Sequence, residues 1–440
     1  MGKVLEKAFG FVPGVHDIRS EVIGGITTFF TMAYILAVLP SIFAQVPGMP
    51  AEATFTATAA VTIIATLFCA FIAHRPISMA PDFGSNAFIV YTLCLGMGHS
   101  WQFAGTAVLI TGLISFALAA TKVRERILDA IPSCLKHSIA AGIGIFLAFV
   151  GLQNSGLIVD DGSTLVTLGD ITSGKGLLAV LGIVISCTLV MLHVRGGILI
   201  GIIATFVLGL FIKDPATGSA LTVFNGVAAA PPSVEPLLFK FTWGEVLSPD
   251  MFTAVVSLLF MNMFGNLGSD IALSAKAGYV DKDGNVEGIN RLFLSDGLGT
   301  AISGCFSCTP VTSLAESSAG IGAGGRTGLT AFVTALCFAL ALLLAPLFLA
   351  IPGSATAPAL IIVGMMMMEP IVNVDWLNYR ESIPSFLTVI LMPMSYSIAD
   401  GILIGVIAFV VLNALTMRWK KISATMWVLA AVFILKYIFF

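Results

Sequence analysis

Apolar runs of about twenty residues follow one another along this chain with only short polar connections between them. As helix, a run of that length crosses the hydrocarbon core of a bilayer. Fourteen can be marked out: 22–43, 54–73, 77–97, 103–121, 131–152, 176–194, 197–212, 251–275, 292–307, 308–326, 328–350, 354–371, 383–398 and 401–417. Composition points the same way. Of 440 residues 58% are hydrophobic and 10% charged, with a mean hydropathy of +1.01, unlike any soluble domain. The expected fold is an all-α polytopic membrane protein. A further run, 424–440, is marginal in length for spanning, and its crossing stays open. The net charge of −3 and the lack of a basic domain give no reason to expect a nucleic-acid partner. The N-terminal stretch has no h-region and is not expected to be a cleaved signal.

Basic residues set the orientation. With the N-terminus in the cytoplasm and the spans alternating, sixteen of the 21 Lys and Arg, including every arginine, fall on the cytoplasmic side. That is a positive-inside pattern, and it supports the span count.

The chain also repeats itself. GILIGIIA at 197–204 returns as GILIGVIA at 401–408, and Ala130-Ile131-Pro132 returns as Ala350-Ile351-Pro352. Seven spans per half is odd, so the halves are expected to be inverted in the membrane. Two spans, 77–97 and 308–326, are interrupted. The first carries Pro81 and Gly84 in SMAPDFGSNAFIVY; the second reads CTPVTSLAESSAGIGAGGRTGLT, with glycines at 320, 322, 324 and 325. Paired Gly/Pro-interrupted helices in two halves mark a secondary transporter, with the site where the breaks meet. Non-helical backbone at membrane depth is tolerated only in protein or beside a cavity.

Four acids are placed in or at the ends of spans: Asp82, Asp270, Glu316 and Asp400. Glu316 stands among small residues and hydroxyls beside a short helix, with Thr312 or Ser313 expected as its N-cap. A binding role for this acid is weighed against an interhelical hydrogen bond. For Asp82, ligand or proton binding is weighed against capping the helix that follows. Asn262, Asn266 and Asp270 lie at i, i+4 and i+8 and form one polar stripe, facing protein or a cavity. Asp400 reads as a cap or interfacial group. The seven cysteines fit small core positions, and the Cys305/Cys308 pair lacks partners for a metal site. No catalytic constellation appears, so no enzyme is expected; GAGGRTG is not a Walker loop, and 279–288 is an EF-hand only superficially.

Several stretches resemble the AzgA-like purine permeases of the nucleobase:cation symporter-2 family: EVIGGITTFFTMAYILAV at 21–38, APxxGxNAF at 80–88, GLQNSGLIV at 151–159, SIPSFLTVILMPMSYSIADGI at 382–402 and, most specifically, ESSAGIGAGGRTGLTA at 316–331. The resemblance covers nearly the whole chain. It implies fourteen segments as two inverted seven-segment repeats, with segments 3 and 10 broken and their short strands meeting near the substrate. Residues 1–127 and 216–350 would form a core domain, and 128–215 and 351–440 a gate domain that includes the C-terminal hydrophobic helix. It implies a permease importing a purine base such as adenine, guanine or hypoxanthine by proton symport. A proton gradient would be the energy source, with no cofactor and no metal. The setting implied is a bacterial inner membrane with the N-terminus cytoplasmic. Partners would be the nucleobase and lipid, with a homodimer as one arrangement.

The chain departs from the pattern of that family. Gly265 stands where segment 8 usually has an acid, with Asn266 and Asp270 changed around it; Asp82, Phe83 and Ser85 differ in the first break; Leu314 replaces an aromatic. Glu316 is kept. The substrate set implied is Glu316, Asn266, Asn86, Phe83, Phe88, Ser313 and Ala315. Glu316 would accept ring N–H groups, the asparagines would offer a donor and an acceptor, and Phe83 or Phe88 would stack. Asp82, Asp270 and Glu316 are the candidates for proton coupling, a buried carboxylate without a cation beside it being suited to take up a proton. The rivals are the same fold with another heterocycle or a small anion as cargo, and a non-transporting receptor or scaffold.

Overall fold

The structure is a computed structural model, and it describes residues 2–121, 131–215, 218–224, 226–280, 286–419 and 422–439. Helices occupy the fourteen expected segments, seven in each half. Eight, among the described residues, are long and apolar enough to cross a bilayer, from Ile18–Phe43 to Ile398–Leu415. Others, such as Gly197–Gly209, are shorter. The final run forms a helix too, Ala424–Phe439.

The two broken segments give the fold its centre. In segment 3, strand β1 (Met79–Pro81) leads into a short helix, Phe83–Ala87, which continues as a π-helix, Phe88–Gly96. Strands β2 (Ile158–Asp161) and β3 (Leu165–Leu168) make a hairpin in the long segment 153–175. In segment 10, strand β4 (Val311–Ser313) leads into helix Ser317–Gly322. β1 and β4 pair antiparallel with Ala80 opposite Thr312, and every residue of both is buried. The ladder extends at both ends, since the Asp82 amide donates to Pro310 O at 2.9 Å and the Leu314 amide to Ser78 O at 3.1 Å. The backbone freed by each break is thus satisfied by the other, as a low-dielectric interior demands. Two inverted repeats crossing at their equivalent segments produce this antiparallel meeting.

Close packing follows small residues, because lipid offers helices no hydrophobic gain for associating. A Cβ on Gly112 of helix Trp101–Ala120 would lie 2.1 Å from Ala301 N, and one on Gly304 of helix Ile289–Cys305 would lie 2.4 Å from Leu109 N, so segments 4 and 9 touch backbone to backbone. Segments 5 and 12 do the same through Gly144 and Gly364, each of whose added Cβ would sit 2.4 Å from the other's carbonyl oxygen. Segments 2 and 8 and the strand of segment 10 pack on the first pair, segments 1 and 11 pack on segment 2, and segments 13 and 14 lie beside the second pair.

Candidate functional site

In the first break Asp82 is extended (φ −79°, ψ 140°), and its carboxylate accepts the Ser85 amide at 2.6 Å. Of the two roles weighed for it, helix capping is the one visible in the geometry. Phe83 is 3% exposed and stacks on Tyr34 of segment 1, the ring centroids 5.6 Å apart and the planes 2° from parallel. Asn86 is fully buried; its Nδ2 reaches Leu39 O at 3.5 Å, and its Oδ1 has no hydrogen-bond partner among the described residues. The Ser313 and Ser85 hydroxyls are in the same condition. Buried polar atoms rarely stay unpaired, so these three on the two broken segments are a signal for a ligand or water.

In the second break the helix begins later than expected. Thr312 and Ser313 are strand rather than N-cap. Their extended backbone is held by β1 on one edge and by asparagine side chains on the other. Asn266 accepts the Ser313 amide at 2.8 Å and donates to Val311 O at 3.3 Å; Asn262 donates to Val311 O at 2.7 Å and to Asp296 at 3.1 Å. The amide of Asn266 therefore stands in for a third strand. A tight turn follows, with the Ser317 amide on Leu314 O, and only then does Ser317–Gly322 wind up.

Glu316 sits in that turn with helical torsions (φ −57°, ψ −25°) and makes no cap. A side chain on helical backbone projects outward. This one reaches segment 1, where the fully buried Tyr34 hydroxyl donates to Oε1 at 2.5 Å. Thr31, one turn earlier, donates to the Glu316 carbonyl at 3.3 Å. Ala315 is exposed and Glu316 partly so, although Ser313 and Ser317 on either side are buried. Glu316 and Phe83 thus meet around Tyr34, a residue the sequence reading did not single out.

The GAGGRTG stretch anchors the far end of this half-helix. Arg326 donates to Ile321 O at 2.5 Å and to Gly325 O at 2.7 Å, closing the helix from its C-terminal side. Gly324 has φ +108°, a torsion that suits glycine. Glu21 of segment 1, 1% exposed, accepts the Arg326 and Thr327 amides and the Thr330 hydroxyl. Tyr279 donates to Arg326 O at 2.7 Å while Arg75 lies 3.3 Å above its ring. Glu21 and Asp296 are buried carboxylates beyond the four acids read from the sequence. Asp296, inside the run 292–307, was legible; Glu21, just outside its run, was not.

The remaining candidates lie apart. Asp270 is fully buried one turn past Asn266. Gly265 leaves room for a side chain, a Cβ there coming into ordinary contact with Thr312 Cγ2 at 3.9 Å. Phe88 lines a different space, a cavity of about 420 Å³ bounded also by Tyr91, Tyr396, Asp250 and Asp400. Its wall joins segments 3, 8, 13 and 14. Tyr91 in that wall accepts from Gln45 and Asn154 at 2.9 and 3.0 Å and meets Tyr396 edge-on at 5.4 Å. Asp400 lies in the first turn of Ile398–Leu415, and the cap is Ser397. The 281–285 part of the EF-hand-like loop lies outside the described residues.

A model described as "Permease family" matches residues 19–404. A putative permease of Methanocaldococcus jannaschii is 39% identical, the alignment covering 99% of each chain. A guanine/hypoxanthine permease of Bacillus subtilis is 39% identical over 96% of each, and an adenine permease of Escherichia coli 34% identical over 99% of this chain and 96% of its own. Among solved structures, the transmembrane domain of a cyanobacterial bicarbonate transporter superposes with a TM-score of 0.62 at 17% identity, covering 88% of this chain and 97% of that one. That likeness concerns the fold.

Proposed function

This chain belongs to the permease family, the nucleobase:cation symporter-2 group, and on that premise we propose that it imports a purine nucleobase across the cytoplasmic membrane by proton symport. Relatives named as guanine/hypoxanthine and adenine permeases align with it almost end to end, and this supports the cargo class. The observation that carries the reading is Glu316, a partly exposed carboxylate placed at a helix break inside the bundle. It accepts the ring N–H groups of a flat base and takes up the driving proton. Asn86 Oδ1 and the Ser313 hydroxyl, both lacking partners among the described residues, meet the edge of the base, and Phe83 with Tyr34 provides an aromatic wall. Asn266 supports the site by holding β4. Residues 1–127 and 216–350 move as a core that carries the site, and 128–215 and 351–440 as the gate. The close contacts between segments 4 and 9, and between 5 and 12, support two such bodies. The basic-residue count supports a cytoplasmic N-terminus.

Uptake by the protein in liposomes, screened over adenine, guanine, hypoxanthine, xanthine and uracil, tests this. The expected result is accumulation of at least one purine under an inward proton gradient, collapsed by a protonophore. Uptake of none, or accumulation that ignores the gradient, overturns it.

A further inference from the structure

Segment 1 is not a continuous helix. Ile18–Met32 stops, Ala33 and Tyr34 form the joint, and Ile35–Phe43 resumes with Pro40 inside it. The joint is tightened into shorter turns, the Leu36 amide bonding Ala33 O and the Ala37 amide bonding Tyr34 O. Its effect is to place one phenol between the two broken segments. The Tyr34 ring lies flat against Phe83 of segment 3, and its hydroxyl reaches Glu316 of segment 10. A fully buried tyrosine hydroxyl needs a partner, and Glu316 Oε1 is the one shown. Thr31 holds the backbone of the same residue. Segment 1 therefore fixes both the main chain and the side chain of the acid.

We infer that Tyr34 is a positioning residue for substrate binding. Its hydroxyl ties down Glu316 Oε1, sets the plane of the carboxylate, and leaves Oε2 to accept from the bound base. The phenol suits either protonation state, since it donates to a carboxylate and accepts from a carboxylic acid. The Glu316 side chain thus keeps one orientation while the proton comes and goes. The parallel stack on Phe83 fixes the phenol itself, so the first break orients the acid of the second through Tyr34. This inference rests on the binding role given to Glu316 above.

The test is equilibrium binding of radiolabelled hypoxanthine, guanine and adenine to purified protein, with folding followed by gel filtration. Tyr34→Phe keeps the ring and the stack and removes only the hydroxyl. It is expected to weaken binding about tenfold, the scale of one hydrogen bond to a charged group. Glu316→Asp, one methylene shorter, leaves the reach of Tyr34 and is expected to lose a similar factor. The double variant is then no weaker than Glu316→Asp alone. Binding by Tyr34→Phe within twofold of wild type, or losses that multiply in the double variant, overturns the inference. Should Glu316→Gln bind as well as wild type, the binding role of the acid falls. Should Glu316→Gln fail to bind while Tyr34→Phe is normal, only the role of Tyr34 falls.

Discussion

The two breaks are built to one plan, a three-residue strand followed by a short helix with an acid at the position before it, yet they treat that acid in opposite ways. Asp82 is extended and short, so its carboxylate turns back onto the Ser85 amide and serves its own helix. Glu316 has helical torsions and one more methylene, so it cannot turn back, and its carboxylate crosses to another segment. Asp ranks high as an N-cap and Glu does not. The surroundings differ as well. The first half-helix abuts segment 5, where a Cβ on Gly84 would come 2.7 Å from Ile143, and the second lies against segment 1. The difference teaches that the backbone at each break decides whether its carboxylate is held by its own helix or reaches another segment.

The largest expected effect lies at the available acid. Glu316→Gln keeps shape and burial but removes both the charge and the proton site. Uptake is expected to fall by about a hundredfold or more, at or beyond the upper end of the roughly 1.5–3 kcal/mol of one charged hydrogen bond, because binding and coupling fail together. Expression and gel-filtration behaviour should stay normal. Wild-type KM and rate in this variant would erase the contrast between the breaks.

How far could this contrast be seen in the sequence? The span pattern, the odd count per half and the two interruptions were all legible, because apolar length and Pro or Gly act locally. Glu316 stood out as a lone acid in its stretch. Its partner did not, since Tyr34 is 282 positions away and sits in a plain apolar run. Thr312 and Ser313 looked like caps because local propensity cannot see β1, more than two hundred residues earlier, or the Asn266 side chain that holds them extended. The polar stripe on segment 8 was correctly placed toward protein. Its task, completing a strand edge with Asn262 and Asn266, depends on how the strand Val311–Ser313 pairs, which extended chain at Thr312-Ser313 does not itself reveal.

A second expected effect separates the glycines of the second break. Gly320 is where the half-helix meets segment 1: a Cβ there would lie 2.0 Å from Thr28 Oγ1 and 2.4 Å from Gly24 O. Gly320→Ala should push the two elements apart and cost about 1–3 kcal/mol, the usual range for overpacking. Gly322, two residues on, has nothing within 4 Å of its added Cβ. Gly322→Ala should leave thermal stability unchanged or slightly raised, since alanine favours helix by up to about 1 kcal/mol. Equal melting shifts for the two would mean that the half-helix does not pack on segment 1 as described.

The smallest effect is expected at the acid that serves itself. Asp82→Ala removes the cap and should cost about 1 kcal/mol, seen as a modest drop in melting temperature. Asp82→Asn should not, because asparagine caps as well as aspartate does and can accept the same Ser85 amide. The pair isolates the charge from the cap. With capping as its whole role, Asp82→Asn accumulates substrate against a proton gradient as wild type does, while Asp82→Ala loses some folded protein but no coupling. Asp82 is also partly exposed, so a proton could reach it, and it lies one strand pairing from the second break. Coupling through Asp82 would show as a distinct pattern: Asp82→Asn would exchange substrate across the membrane at the normal rate yet fail to concentrate it. That result would place the proton on the first break and the substrate on the second, dividing between two acids the work assigned here to Glu316.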